Sequence, residues 1–125
     1  MTDYASLIMA YLYALEAGAQ GDALARFFTE DAEQIEFPNQ LNPNGGTSTL
    51  AQLLERAKRV PELLESQRYD VESIFLTGVD SAAVEATWYG TLRSGVKMTA
   101  HFAMFFEFKF DRICRQRNYD CFEPW

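Results

Sequence analysis

Histidine and cysteine are both scarce in this sequence, which has one histidine, His101, and two cysteines, Cys114 and Cys121. A single histidine cannot form the His-rich ligand sets that are typical of zinc sites, so we predict no metal ion. The sequence also contains no phosphate-binding loop, serine elbow or dinucleotide fingerprint. We therefore expect a protein that works without a cofactor.

The two cysteines are not expected to form a disulfide. They are seven residues apart in a segment that reads as one strand, so they point to opposite faces about 23 Å apart. A disulfide needs Cα atoms within about 7 Å of each other. Free thiols suit a reducing compartment, and we predict a cytoplasmic location.

Positive charge is also in short supply, because 11 Lys and Arg face 18 Asp and Glu, for a net charge of −7. An acidic protein repels the phosphates of nucleic acids and of anionic membranes. The basic residues Arg112, Arg115 and Arg117 are scattered. We expect neither nucleic acid nor a membrane as a partner.

The chain has no apolar run long enough to span a bilayer. Residues 4–15 are uncharged and are followed by Ala-Gly-Ala at 17–19, which resembles a secretory signal. However, Asp3 stands where a signal peptide is positively charged, and Glu16 interrupts the approach to the cleavage motif. We interpret this segment as a helix of the mature protein.

Aromatic residues are abundant, with ten Phe, six Tyr and two Trp among 125 residues. This is more than so small a core usually needs. The surplus indicates either the lining of a cavity or interface, or simply an aromatic core. No linker, repeat or low-complexity tract divides the chain, so we predict one domain over residues 1–125.

The first half of the sequence has helical patterns. We predict a helix over 3–17, a short helix capped by Asp22, and a helix opened by the Thr49–Gln52 capping box and broken at Pro61. A short strand at 32–37 lies between them and is halted by Pro38.

From residue 68 onward the hydrophobic period changes to two. Strands are predicted at 68–77, 83–93, 96–110 and 112–122, joined by hairpin turns. In the third of these strands, alternation predicts one apolar face, which consists of Val96, Met98, Ala100, Phe102, Met104, Phe106, Phe108 and Phe110. Helices followed by antiparallel strands are typical of the α+β class, with the helices on one face of the sheet.

The last predicted strand carries the most informative polar residues. Alternation places Gln116, Asn118 and Asp120 on one face, together with Cys114, and Ile113 on the other. Arg115 and Arg117, also on the other face, can pair with Glu107, which leaves the first face toward the helices.

Burying three polar groups among aromatics is costly unless they serve a site. We therefore interpret Asp120 as an acid/base group with a raised pKa in an apolar cavity. The alternatives are that Asp120 caps or pairs with a helix, or that a β-bulge moves all three residues outside.

Several other residues are candidates for the site. Trp88 and Phe102 are predicted to form the core or the cavity wall. Phe37 and Asn39 flank Pro38 and either line the cavity mouth or form an ordinary strand end. His101 falls on the outer face, where a surface or dimer-interface position is favoured over a catalytic one.

The order of several segments resembles the SnoaL-like members of the nuclear transport factor 2-like superfamily. These segments are "YLYALEAGAQGD", "LARFFTEDAEQIEFPN", "VEATWYGTLRSG", "AHFAMFFEFKFDRI" and "RNYD". The resemblance implies a cone-shaped, curved antiparallel sheet that wraps the N-terminal helices around a deep cavity. It also implies a homodimer formed through the outer sheet face, and a last strand that lines the cavity.

The family includes ketosteroid isomerases, polyketide cyclases and non-catalytic binders. Tyr11 matches the oxyanion Tyr of the isomerases, but Phe37 and Ala100 stand where their two catalytic Asp residues would be, so that mechanism is not predicted. The cyclase branch is more similar, because Asp120 in "RNYD" matches its acid/base Asp.

The resemblance and the polar strand together predict a cofactor-independent proton-transfer enzyme of isomerase, cyclase or lyase type. Its ligand would be a small hydrophobic, oxygenated molecule. Asp120 would move the proton, and Tyr11, Gln116 and Asn118 would hydrogen-bond substrate oxygens. The alternative is a non-catalytic binding or association module of the same fold.

Overall fold

The computed structural model describes residues 2–124 and shows helices packed against one face of a sheet. Within these residues, three helices and six strands follow one another along the chain. They are α1 (Tyr4–Glu16), α2 (Asp22–Ala25), β1 (Phe28–Glu36), β2 (Gly46–Thr49), α3 (Leu50–Leu63), β3 (Leu64–Thr77), β4 (Ser81–Leu92), β5 (Lys97–Lys109) and β6 (Arg112–Phe122).

The six strands form one curved, unclosed sheet in the order β2-β1-β6-β5-β4-β3. This confirms the predicted α+β architecture. Four of the five pairings are antiparallel, but β1 and β6 run parallel, so the sheet is mixed rather than purely antiparallel. The parallel pair arises because α3 and the four strands β2 to β5 lie between β1 and β6 in sequence, a crossover long enough to return the chain in the same direction.

The N-termini of α3 and α2 differ in how they are capped. The predicted capping box of α3 is confirmed, since Thr49 accepts from the Gln52 N–H and the Gln52 side chain accepts from the Thr49 N–H. The prediction that Asp22 caps α2 was wrong. Gly21 is the N-cap residue and makes no side-chain bond, and Asp22 is already the first helical residue.

The predicted break of α3 at Pro61 was also wrong, because the helix continues through Pro61 to Leu63. Proline removes one N–H from the helix ladder, but here it lies in the last turn. The N–H of Leu64 still bonds the carbonyl of Val60, which closes that turn. As a result β3 begins at Leu64, four residues before the predicted start.

A β-bulge in β6 corrects the prediction for the beginning of this strand. The register shifts between Glu107 and Phe108 of β5, so Ile113 is fully buried in the core and the Cys114 thiol donates to the carbonyl of Glu107. Ile113 and Cys114 therefore exchange their predicted faces. The bulge precedes residue 115, so the predicted alternation holds from there to the end of the strand.

The outer face of β6 carries the predicted charge pairs. Arg117 Nη1 lies 2.9 Å from Glu107 Oε2, and Arg115 Nη1 lies 3.6 Å from the same oxygen. Both cysteines are free, as predicted: Cys114 is partly buried and Cys121 is exposed.

The core lies between the helices and the concave face of the sheet. The predicted apolar face of β5 is confirmed at its centre, where Met98, Ala100, Met104, Phe106 and Phe108 are buried. Phe110 was predicted on the same face, but it lies in the β5–β6 turn with a φ of 52° and is 87% exposed. Among residues 2–124, no helix is both long enough and apolar enough to cross a membrane.

Gly90 on β4 gives a direct test of the packing beside the core. A Cβ added at Gly90 would overlap the Trp88 ring, whose Cζ2 atom lies 2.6 Å from the added carbon. Overpacking of this kind costs about 1–3 kcal/mol. We expect Gly90→Ala to lower the free energy of unfolding by this amount in urea denaturation.

The control is the same substitution in a Trp88→Leu background, where the smaller side chain leaves room for the new methyl group. An equal cost in both backgrounds would contradict the overlap with Trp88.

Candidate functional site: a cavity with a polar row on the sheet

A cavity of about 270 Å³ lies between the helices and the concave face of the sheet. Leu15, Leu24, Leu53 and Ala57 from the three helices form its apolar side. The polar side is formed by alternate residues of the two parallel strands, which are Gln34 and Glu36 of β1 and Gln116, Asn118 and Asp120 of β6. Such a mainly apolar space with a few polar groups is typical of a small-molecule site.

Strand register brings the polar residues together. In the parallel pair, Gln34 lies opposite Gln116 and Glu36 lies opposite Asn118. Because side chains two residues apart share a face, the two strands present a double polar row to the cavity. Tyr11 of α1 and Tyr69 of β3 also line the cavity.

Hydrogen bonds connect most of this row. Arg56 Nη2 of α3 donates to Gln34 Oε1 at 3.0 Å, and Gln34 Nε2 donates to Gln116 Oε1 at 3.1 Å. The Tyr11 hydroxyl donates to the same Gln116 oxygen at 3.0 Å, and Gln116 Nε2 donates to Asn118 Oδ1 at 2.9 Å. Gln116 is only 2% exposed, and these bonds offset the cost of burying its amide.

Asp120 is the exception in the polar row. Its Oδ1 atom is buried and has no hydrogen-bond partner among the described residues. Burial raises the pKa of this carboxyl to about 7, and the negative charge of Glu36 adds to the shift. The direction of this pKa shift agrees with the sequence-based expectation, and no helix end or cation among the described residues pairs with this oxygen.

The two tyrosines that line the cavity are protonated at neutral pH. Burial raises the pKa of Tyr11 to about 12, against the opposing effect of its hydrogen bonds with Gln116 and Gln34. Burial also raises the pKa of Tyr69 above its usual range, and the charges of Tyr11, Asp120 and Glu16 add to that shift. Both hydroxyl groups therefore remain neutral hydrogen-bond donors.

Phe37 and Asn39, predicted at the cavity mouth, do not lie in the cavity wall. Glu36 points inward, so Phe37 points to the outer face, where it stacks on Tyr119 at a centroid distance of 4.3 Å. Asn39 Nδ2 donates to Glu36 Oε1 at 2.8 Å, and its Oδ1 accepts from the N–H groups of Leu41 and Asn42. Asn39 thus fixes the loop and holds the Glu36 carboxylate.

Trp88 and Phe102 form successive layers of one wall. Phe102 lines the cavity, and the buried Trp88 ring stacks against it at a centroid distance of 5.7 Å. The Trp88 indole donates to Gln67 Oε1 at 2.9 Å, and Gln67 Nε2 donates to the carbonyl of Leu15 at the end of α1. Trp88 therefore supports the wall from behind.

His101 lies on the outer sheet face, away from the cavity. Its side chain is 57% exposed, and Nε2 lies 2.7 Å from Glu123 Oε2. Cys121 is its cross-strand neighbour, but no hydrogen bond joins the two side chains. Within residues 2–124, no group of three or more His, Cys, Asp or Glu side chains could hold a metal ion.

The residues of the site that were not predicted from the sequence include Gln34, Glu36, Arg56 and Tyr69. Gln34 and Glu36 share the alternation of the buried Ala32 in β1, and this signal could have placed them inward. The helical pattern of α3 predicts an exposed position for Arg56, and Tyr69 lies on β3 at the edge of the sheet. The side chains of Arg56 and Tyr69 reach the cavity only because of how α3 and β3 are placed in the fold.

Helices held in a curved sheet around a cavity fit the cone fold of nuclear transport factor 2-like proteins. The sequence model of the SnoaL-like domain matches residues 8–116. The chain therefore belongs to the SnoaL-like domain family. No curated protein matches the chain.

Solved structures of the same fold are similar over nearly their whole length. A nuclear transport factor 2-like protein of unknown function from Burkholderia pseudomallei has 16% identity over 95% of this chain and 91% of its own, with a TM-score of 0.79. IdmH from Streptomyces antibioticus, a candidate polyketide cyclase, has 17% identity over 95% and 92%, with a TM-score of 0.77. A candidate isomerase from Rhodopseudomonas palustris has 22% identity over 96% and 91%, with a TM-score of 0.76.

The raised pKa of Asp120 predicts a specific pH dependence of stability. In the unfolded chain an Asp titrates near 3.9, whereas in the folded protein Asp120 titrates at about 7. Between these two values the folded state holds a proton that the unfolded state has lost, so the contribution of Asp120 to stability falls as pH rises. Below and above this window the contribution is constant.

We expect Asp120→Asn to become more stable relative to the wild type as pH rises from about 4 to about 7, with no further change above that range. Urea denaturation across this pH range measures the difference. The matched control is Asp70→Asn, which removes an exposed carboxylate from β3. The same pH dependence for both variants would contradict the assignment to Asp120.

Proposed function

We propose that this protein is a cofactor-independent enzyme that moves a proton on a small hydrophobic, oxygenated molecule bound in the cavity, with Asp120 as the acid/base group. The observation that carries the proposal is the Asp120 carboxyl, which lies in the cavity wall with one buried oxygen that has no hydrogen-bond partner among residues 2–124. Groups with a strongly raised pKa in a cavity are typical of catalytic sites.

The pKa of about 7 suits both directions of proton transfer. Near neutral pH the carboxylate and the carboxylic acid are both populated, so one group can remove a proton from carbon and return it to another atom. Isomerisation, aldol-type ring closure and elimination of water all consist of such steps. None of them requires an electron donor or acceptor.

The apolar side of the cavity supports a hydrophobic substrate. Its helix-derived wall offers Leu15, Leu24 and Leu53 to a carbon skeleton, and burial of that skeleton displaces water from the acid/base group. The names of two structural relatives, a candidate polyketide cyclase and a candidate isomerase, agree with this reaction class. Those names describe the relatives, and they support the proposal only through the shared fold.

A thermal-shift screen against steroids, isoprenoids, polyketide-like aromatics and fatty acids provides the first test. A ligand of the native state raises the melting temperature in proportion to the logarithm of its concentration. With a hit converted by the enzyme, we expect Asp120→Asn to lower kcat by about 10²–10⁴-fold. The dissociation constant should change little, because the amide keeps the size of the carboxyl.

The pH profile and the control make this test specific. We expect kcat/KM of the wild type to depend on a group with a pKa of about 7, and Asp70→Asn to retain full activity. Turnover that persists in Asp120→Asn would refute the catalytic role. A hit that binds both proteins and is never converted would identify a non-catalytic binding module.

We also propose that two copies of the chain associate through the outer face of the sheet. Phe105, Tyr119 and Tyr89 are partly exposed there, and Phe105 contacts Tyr119 at a centroid distance of 5.7 Å. The Phe105 and Tyr119 rings form an aromatic surface bordered by Arg117, which lies over the Phe105 ring. Aromatic and Arg residues are enriched at protein interfaces.

Light scattering of the purified protein tests this association. We expect a mass of twice the 14.3 kDa of one chain, and we expect Phe105→Lys to halve it by placing two ammonium groups in the interface. The control is Val79→Lys, in the exposed β3–β4 turn. A wild-type monomer, or a dimer that withstands Phe105→Lys, would contradict the proposal.

A further inference from the structure

The hydrogen-bonded amides in the cavity wall have a fixed direction. A guanidinium group can only donate hydrogen bonds, so the oxygen of Gln34 must face Arg56, whose Nη2 lies 3.0 Å away. The nitrogen of Gln34 then faces the oxygen of Gln116, at 3.1 Å. Arg56 therefore determines which end of the Gln34 amide points along the row.

The same reasoning continues along β6. Gln116 Oε1 accepts from both Gln34 and Tyr11, so Gln116 Nε2 faces Asn118 and donates to its Oδ1 at 2.9 Å. The Asn118 amide has thus used its acceptor inside the row. Its Nδ2 group is a donor that makes no hydrogen bond to a described residue.

Asn118 is well placed beside the acid/base group. It lines the cavity and precedes Asp120 by two residues on the same strand face, which separates their Cα atoms by about 7 Å. Glu36 is the cross-strand neighbour of Asn118, but its Oε1 accepts from Asn39 instead. The free donor and the free carboxyl oxygen therefore lie next to each other in the polar row.

We propose that Asn118 Nδ2 binds the carbonyl oxygen of the substrate, and that Arg56 is the positioning residue that turns the amide row so that this donor faces the cavity. This inference rests on the proposed function and names the chemical class of its substrate as a carbonyl compound. Tyr11 and Gln116 hold the row together, because their hydrogen-bonding groups are already engaged with each other.

The arrangement supports the following proton transfer. The Asp120 carboxylate takes a proton from the carbon next to the carbonyl group and becomes a carboxylic acid. The electron pair of the broken C–H bond forms a C=C bond to the carbonyl carbon, and the π pair of the carbonyl group moves onto its oxygen. The resulting enolate oxygen accepts a hydrogen bond from Asn118 Nδ2. A donor that already points at the developing charge stabilises the transition state more than the ground state.

Two probes of nearly equal shape separate hydrogen bonding from apolar burial. They are 2-acetylnaphthalene and 2-isopropenylnaphthalene, which differ in having a carbonyl oxygen or a CH₂ group at the same place. We expect the ketone to bind the wild type about five- to tenfold more tightly by calorimetry, as one hydrogen bond provides.

Four variants test the role of each residue. Asn118→Asp replaces the donor with an acceptor of the same size, and Arg56→Met removes the group that directs the row; both should abolish the preference for the ketone. Arg56→Lys retains a donor for Gln34 and should restore most of it. Arg59→Met, one turn further along the exposed side of α3, is the control and should leave it unchanged.

The outcomes also distinguish this inference from the proposed function. Equal binding of both probes, or a preference that persists in Asn118→Asp and Arg56→Met, would overturn the role of Asn118 and leave the cavity proposal intact. Failure of both probes to bind would overturn both. Thermal unfolding of each variant shows whether it is folded. Loss of the preference for the ketone in Arg56→Lys as well as in Arg56→Met would contradict the proposal that Arg56 sets the orientation of the amides.

Discussion

The parallel pairing of β1 with β6 is the contact on which the rest of the site depends. It places Gln34 opposite Gln116 and Glu36 opposite Asn118, and so turns two separate polar patterns into one row. The same pairing allows one amide to satisfy the next, which lets Gln116 be buried without an unsatisfied group. A register shift of one residue would move Gln34 and Glu36 to the outer face and remove the hydrogen bond between Gln34 and Gln116.

The polar row is satisfied at one end and left open at the other. Gln116 has a hydrogen-bond partner for both its oxygen and its nitrogen, whereas one buried oxygen of Asp120 has none in the part of the chain that the structure describes. Native proteins bury few such groups, because each lowers stability. The free energy lost by burying Asp120 is larger when its carboxyl is charged. Burial therefore raises the pKa, and the neutral form is still populated near neutral pH. Hydrogen-bonded amides and a carboxyl whose burial lowers stability thus lie side by side on β6.

The fold and half of the row could be predicted from the sequence. Alternation in β6 identified Gln116, Asn118 and Asp120, and the segment order indicated the SnoaL-like cone. Alternation failed at Ile113 and Cys114, because a bulge is a local change of register that leaves no period in the sequence. The contribution of Arg56 could not be predicted either. It depends on the long side chain of an outward-facing helix position, which reaches Gln34 only after α3 has packed on the sheet.

Asn118 differs from Tyr11 and Gln116 in keeping a hydrogen-bond donor that no described residue uses. This difference follows from how donors and acceptors are paired along the row, because all three side chains are close to the cavity. Tyr11, Gln116 and Asn118 all line the cavity, and by type alone each could bind a substrate oxygen. Arg56 removes this equivalence, because a group without acceptors imposes one orientation on every amide that follows it. The direction passes through Gln34 and Gln116 and ends at Asn118. Arg56, a cation on a helix at the cavity edge, therefore determines which hydrogen-bonding group stands beside Asp120. Among the described residues, it forms no hydrogen bond with Asn118 or Asp120.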